Sequence, residues 1–163
     1  MAGMEWTDKL ALGLGPMDQT HQEFVEAYNR LLGVSGEDLL VAMDAFIAHS
    51  VEHFDQENRW MEKVGFPGCH KAEHDRVLAV CLDVRKRMER GDAALGRQLI
   101  QELPVWFDNH VASMDAALAG YLDSIGFDTV TGEVHNPPQE DSGEGSSACC
   151  TPPSVPAPDS QPA

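Results

Sequence analysis

The stretch HSVEHFDQE places His49, His53 and Glu57 at steps of four residues. Four residues advance an α-helix by about 400°, so the three side chains fall along one ridge. A second pair at the same spacing, His70 and His74, lies in HKAEH. His21 in DQTH, and His110 with Asp115 in WFDNHVASMD, add two more imidazoles and a carboxylate. Imidazole with carboxylate suits iron, manganese, zinc or copper. These groups are costly to bury unpaired, at about 1–3 kcal/mol each. If His21, His53, Glu57, His70, His74, His110 and Asp115 all turn inward, a metal centre satisfies them together.

Helices must do the positioning, and four segments have the right apolar period. The first runs from about Pro16 to Leu32, with Met17, His21, Phe24, Val25, Tyr28, Leu31 and Leu32 on one face. Pro16 suits its first turn. The second runs from about Gly36 to Val64, where Ser35 with Asp38 resembles a capping box and Gly65 supplies the stop. The third runs from about Pro67 to Arg90 and buries His70, His74, Val77, Leu78, Cys81, Val84 and Met88. The fourth runs from about Asp92 to Leu122, and Pro104 within it is expected to kink or interrupt it. No convincing strand pattern occurs. Connections this short make neighbouring helices antiparallel. The expected fold is therefore all-α, an up-down-up-down four-helix bundle. An N-terminal arm with Trp6, Leu10, Leu12 and Leu14 is expected to pack across it.

Residues 1–122 read as this bundle, and 123–163 as an acidic tail rich in Pro, Ser and Gly. Such a tail buries too little apolar surface to offset ordering entropy, so disorder is expected there. Its adjacent Cys149 and Cys150 could join only in a strained disulfide, and the expectation is a pair of tail thiols. The net charge of −16 argues against phosphate backbones and anionic membranes as partners. The chain has no run of 18 apolar residues and no signal-like N-terminus, so a cytoplasmic location is expected.

Seven ligands exceed what one tetrahedral zinc ion needs. Two octahedral ions offer about twelve positions. Five imidazoles, two bridging carboxylates and one shared solvent oxygen fill all but one, leaving room for a small molecule. His110 and Asp115 are five residues apart, which puts them about 140° away from a common face on a regular helix. A π-type irregularity between them would bring them together.

Taken together, DQTH (18–21), HFDQE (53–57) with Met61 following, HKAEH (70–74) and WFDNHVASMD (106–115) resemble the signature of the hemerythrin family over residues 4–122. The resemblance implies a non-haem di-iron centre that binds O2 reversibly, as a carrier, a store or a supplier to an O2-consuming enzyme. One iron would be held by His70, His74 and His110. The other would be held by His21 and His53 and would keep the open position. Glu57 and Asp115 would bridge the two, beside an oxo or hydroxo group. O2 would enter at the open iron as both irons are oxidised. Five of the seven ligands are neutral, which is expected to favour electron transfer to O2 with the O–O bond retained.

Phe54, Trp106, Phe107, Val111 and Met114 are candidate walls of the O2 pocket, with ordinary core packing as the other reading of each. Phe107 stands where the family commonly has leucine and could narrow the path. Asn58 stands where an acid is common and is expected to lie off the metal ridge. His49 has no ligand role in the family. It is expected to bond to solvent or a carboxylate, or else to relay protons near the pocket. The same centre could instead serve a di-iron oxidase, a peroxidase, a nitric-oxide-handling enzyme or an O2 or redox sensor.

Overall fold

A computed structural model describes residues 2–139 of the chain. Five helical segments build four rods: α1 (Gly15–Gly33), α2 (Glu37–Val64), α3 (Cys69–Glu89) and α4 (Ala93–His110), the last continuing through a π turn (Val111–Asp115) into α5 (Ala116–Ser124). Each rod packs against the next and α1 meets α4, which closes an antiparallel four-helix bundle. The described residues contain no strand, only one isolated bridge between Phe127 and Val134. Among them, no helix is long and apolar enough to cross a membrane.

The turns follow from local chemistry. Gly65 adopts a left-handed conformation with φ of 67°, and the N–H of Phe66 donates to the Met61 carbonyl at 2.9 Å. That geometry ends α2 and reverses the chain. Asp92 caps α4 by accepting from the Leu95 N–H at 3.1 Å. At the start of α2 the sequence misleads. Gly36, with φ of 62°, precedes the helix, no side chain caps it, and the Gly36 carbonyl accepts from the Leu39 N–H at 3.2 Å. The left-handed turn at Gly36 moves Ser35 out of the capping position, so the expected Ser35–Asp38 box is absent.

Pro104 does not interrupt α4, which runs unbroken from Ala93 to His110. A proline leaves the carbonyl four residues earlier without its intrahelical donor. Here that carbonyl belongs to Ile100, and the Tyr28 hydroxyl of α1 donates to it at 2.9 Å. A side chain on the opposite rod thus replaces the missing backbone bond.

The interior is layered. One apolar layer gathers Phe24, Phe46, Phe54, Leu103, Phe107 and Val111 with the buried arm residue Leu10. A second gathers Met17, Trp60, Met61, Leu118 and Leu122. On three of the rods a predicted ligand lies between residues of the two layers. His21 falls between Met17 and Phe24, Glu57 between Phe54 and Trp60, and Asp115 between Val111 and Leu118.

The arm folds back as expected. Asp18 accepts from the N–H groups of Leu12 and Gly13 at 2.6 and 3.2 Å, and Asn29 exchanges bonds with the Met4 backbone. Residues 123–139 depart from the expected disorder. Ile125 and Phe127 are buried on the second apolar layer, and the following turn is tied by Asp128, which accepts from the N–H groups of Val130 and Thr131. Two apolar side chains make no periodic pattern, so nothing in the sequence signals this cover. Cys149 and Cys150 lie outside the described residues.

Candidate metal centre

The seven ligand-type side chains from α1, α2, α3, α4 and the π turn meet in the polar layer. All are buried, and His21, Glu57, His70, His74 and Asp115 are fully so. They form two groups that could each hold a metal ion, with donor atoms within 4.8 Å of one another. One group is Glu57, His70, His74, His110 and Asp115, and the other is His21, His53 and Glu57.

The carboxylates span the groups. Glu57 Oε1 lies 3.0 Å from His53 Nε2, whereas its Oε2 lies 3.5 Å from His70 Nε2 and 3.4 Å from His74 Nε2. Asp115 Oδ1 lies 2.9 Å from His70 Nε2 and 3.0 Å from His110 Nε2, and its Oδ2 lies 3.1 Å from His21 Nε2. Each acid therefore turns one oxygen to each group. The π turn makes this possible for Asp115. On an α-helical course its side chain would lie far around the rod from His110.

These approaches test whether a cation fits. The Nε2 atoms of His70 and His74 each lie 3.2 Å from His110 Nε2. A neutral imidazole nitrogen is either a donor or an acceptor, so these three cannot all be satisfied by one another. Glu57 Oε2, both oxygens of Asp115 and His21 Nε2 are buried without an aligned hydrogen bond. Converging acceptors of this kind fit a metal cation, which accepts lone pairs from every side.

Outer contacts orient two of the rings. His21 Nδ1 donates to the Leu10 carbonyl at 3.0 Å, which directs the Nε2 lone pair inward. His74 Nδ1 meets Asn58 Oδ1 at 3.0 Å. The sequence places Asn58 off the metal ridge. It does leave that ridge, but its side chain reaches α3 and touches a predicted ligand. Nothing in the sequence signals the Leu10 contact, because a main-chain carbonyl has no residue type. Burial alone would lower the His21 pKa, but its contacts with Asp115 and Glu57 override this and push it up to about 10. Burial alone would raise the Asp115 pKa, yet the His110, His21 and His70 imidazoles hold it well below the usual carboxylate range.

Aromatic rings enclose the layer. Phe54 stacks on His74 with centroids 4.1 Å apart, and Trp106 stacks on His110 at 4.8 Å. Phe107 meets His21 edge-on at 5.4 Å and stacks on Phe24 at 3.9 Å. Val111 is fully buried, and Met114, within the π turn, is half-buried. Phe24 joins this enclosure, although its sequence position marked it only as core. The Trp106 indole N–H donates to Glu73 at 2.9 Å, and Glu73 also receives a two-pronged bond from Arg76. His49 lies beside the cluster, its ring 5.7 Å from that of His53, with Nδ1 3.7 Å from Glu23 Oε2.

A bundle whose core is a layer of imidazoles shared between two acids belongs to the class of metal-binding helical bundles. Residues 13–122 match the hemerythrin HHE cation binding domain. A bacteriohemerythrin of Ralstonia nicotianae is 45% identical over 130 residues, covering 78% of this chain and 95% of that protein. A bacteriohemerythrin of Methylococcus capsulatus is 30% identical over 122 residues, covering 71% of this chain and 93% of that protein. One from Stenotrophomonas maltophilia is 28% identical over 125 residues, covering 73% and 81%. The chain belongs to the hemerythrin family.

Proposed function

We propose that this protein binds O2 reversibly at a non-haem di-iron centre. It would act as a carrier, a store or a supplier to an O2-consuming enzyme, in the cytoplasm. His70, His74 and His110 would hold one iron, and His21 and His53 the other. Glu57 and Asp115 would each offer one oxygen to either iron, beside an oxo or hydroxo group. The observation that carries the reading is the sharing of both carboxylates, each with one oxygen on either imidazole group. When bound, two ferrous ions supply the two electrons that O2 takes up and a position for it to occupy.

The chain's own residues do the rest. The His21–His53 group carries fewer donors than its neighbour, so it is the half with room for a guest. Phe107 and Phe24 lie against that half and exclude water from it. Phe54, Trp106 and Val111 close the other side, and Met114 lies at the margin. The Leu10 carbonyl holds His21 in the tautomer that leaves Nε2 free for metal. The five-to-two ratio of neutral to acidic ligands limits the negative charge around the irons, which favours release of intact O2 over its cleavage.

The test is anaerobic loading with two ferrous ions per chain, followed by exposure to O2. The expected result is uptake of one O2 per two irons and its recovery under vacuum. Consumption of O2 with none recoverable would replace this reading with that of an oxidase.

A further inference from the structure

We infer that Asn58 is a positioning residue for the metal centre, which both orients His74 and keeps its half of the site from gaining a further negative charge. The inference rests on the di-iron reading above. His74 is fully buried and lies flat on Phe54, with rings 4.1 Å apart and 4° from parallel. Stacking fixes the plane of the imidazole but not which edge faces the metal. A half-turn about its bond to the backbone side exchanges the two edges within the same plane. Asn58 Oδ1, 3.0 Å from Nδ1, selects one of them. An amide oxygen can only accept, so Nδ1 carries the hydrogen and Nε2 presents its lone pair to the centre. There Nε2 lies 3.4 Å from Glu57 Oε2 and 3.2 Å from His110 Nε2.

The other imidazoles of this group have no such anchor. The Nδ1 atoms of His70 and His110 are buried without a hydrogen-bond partner. Asn58 therefore supplies the one side-chain hydrogen bond, among the described residues, that fixes a tautomer in the three-histidine half. Its neutrality matters as much as its geometry. A carboxylate in its place would draw the Nδ1 proton toward itself, make the imidazole a stronger donor and add a negative charge beside Glu57 and Asp115. All three effects stabilise the ferric state relative to the ferrous. Asn58 thus holds the ligand while leaving the iron easier to keep reduced. It also lines an open surface cleft with Asp55, Arg59, Glu62, Lys71 and Asp75, so solvent reaches the outer side of this contact.

The experiment compares Asn58→Asp and Asn58→Leu with the unaltered full-length chain. Zn(II) titration of the metal-free proteins reads orientation without any redox chemistry. Asn58→Leu is expected to bind zinc about 10–100-fold more weakly, while Asn58→Asp, which keeps an acceptor, is not weakened. The midpoint potential and autoxidation rate of the iron-loaded proteins read charge. Asn58→Asp is expected to show a lower potential and about tenfold faster autoxidation. Unchanged zinc affinity in the leucine variant, or an unchanged potential in the aspartate variant, would overturn the inference. If the unaltered chain fails to bind O2 reversibly, the proposed function falls, yet the zinc titration still decides the role of Asn58.

Discussion

The bond from Tyr28 to Ile100 makes a demanding test, because its cause is a residue four positions further along α4. Tyr28→Phe keeps the buried ring and removes only the hydroxyl, which donates to the Ile100 carbonyl at 2.9 Å. Pro104 cannot supply an N–H to that carbonyl. The variant therefore leaves a buried acceptor unpaired, at a cost of about 1–3 kcal/mol. For a chain of this size each kcal/mol lowers the melting temperature by about 2–4 °C. Pro104→Ala restores the intrahelical donor. In that background the carbonyl keeps a partner, and Tyr28→Phe should cost about 1 kcal/mol or less. The assay is a double-mutant cycle by urea unfolding of the metal-free chain, since bound metal would add its own linkage. A positive coupling of about 0.5–2 kcal/mol is expected. Equal cost of Tyr28→Phe in both backgrounds would refute the idea that the hydroxyl stands in for the missing backbone bond.

Other expectations concern the centre. Glu57→Gln removes one partner of the fully buried charge pairing with His21, so the metal-free chain should lose about 3–5 kcal/mol of stability. Metal content and metal-dependent stabilisation should fall together, and unchanged iron stoichiometry by elemental analysis would count against a shared carboxylate. With its pKa raised to about 10, His21 is protonated at pH 8 in the metal-free chain. Loading ferrous iron at that pH should release this proton, measurable in a weakly buffered dye assay, and His21→Gln should release one fewer. The same raised pKa stabilises the metal-free fold below about 6.5, and this contribution is lost as pH rises through about 10. Glu73 runs the other way. Arg76 first, and Trp106 after it, hold its pKa near 2, so its contribution is present above about 4.5 and lost as pH falls through about 2. Glu73→Gln should lower the urea midpoint at pH 7, and the gap to the unaltered chain should close by about pH 2.

Much of the site was legible because ligand spacing and helix period coincide. His53 with Glu57 and His70 with His74 share ridges on any straight helix, whatever lies opposite. The five-residue gap from His110 to Asp115 was informative for the opposite reason. It broke the period, and the chain answers with a π turn at Val111–Asp115. What escaped the sequence depends on how rods are set against one another. Asn58 reaches His74 only through the register of α2 on α3, and Tyr28 rescues Ile100 only through that of α1 on α4. The same holds for Leu10, whose carbonyl serves His21 by the path of the arm. Ile125 and Phe127 escaped because isolated apolar residues become core only where a surface happens to receive them.

The placement of Asp115, with one oxygen toward each imidazole group, has one more consequence. Among the rod-to-rod contacts, the seam between α1 and α4 is the thinnest. Asp115 straddles it, with one oxygen toward His21 on α1 and the other toward His110 at the end of α4. With ions on both oxygens, this carboxylate would become a clasp across the weakest seam of the closed bundle. Fraying of the first helix and escape of metal would then be linked, so that what slows one would slow the other.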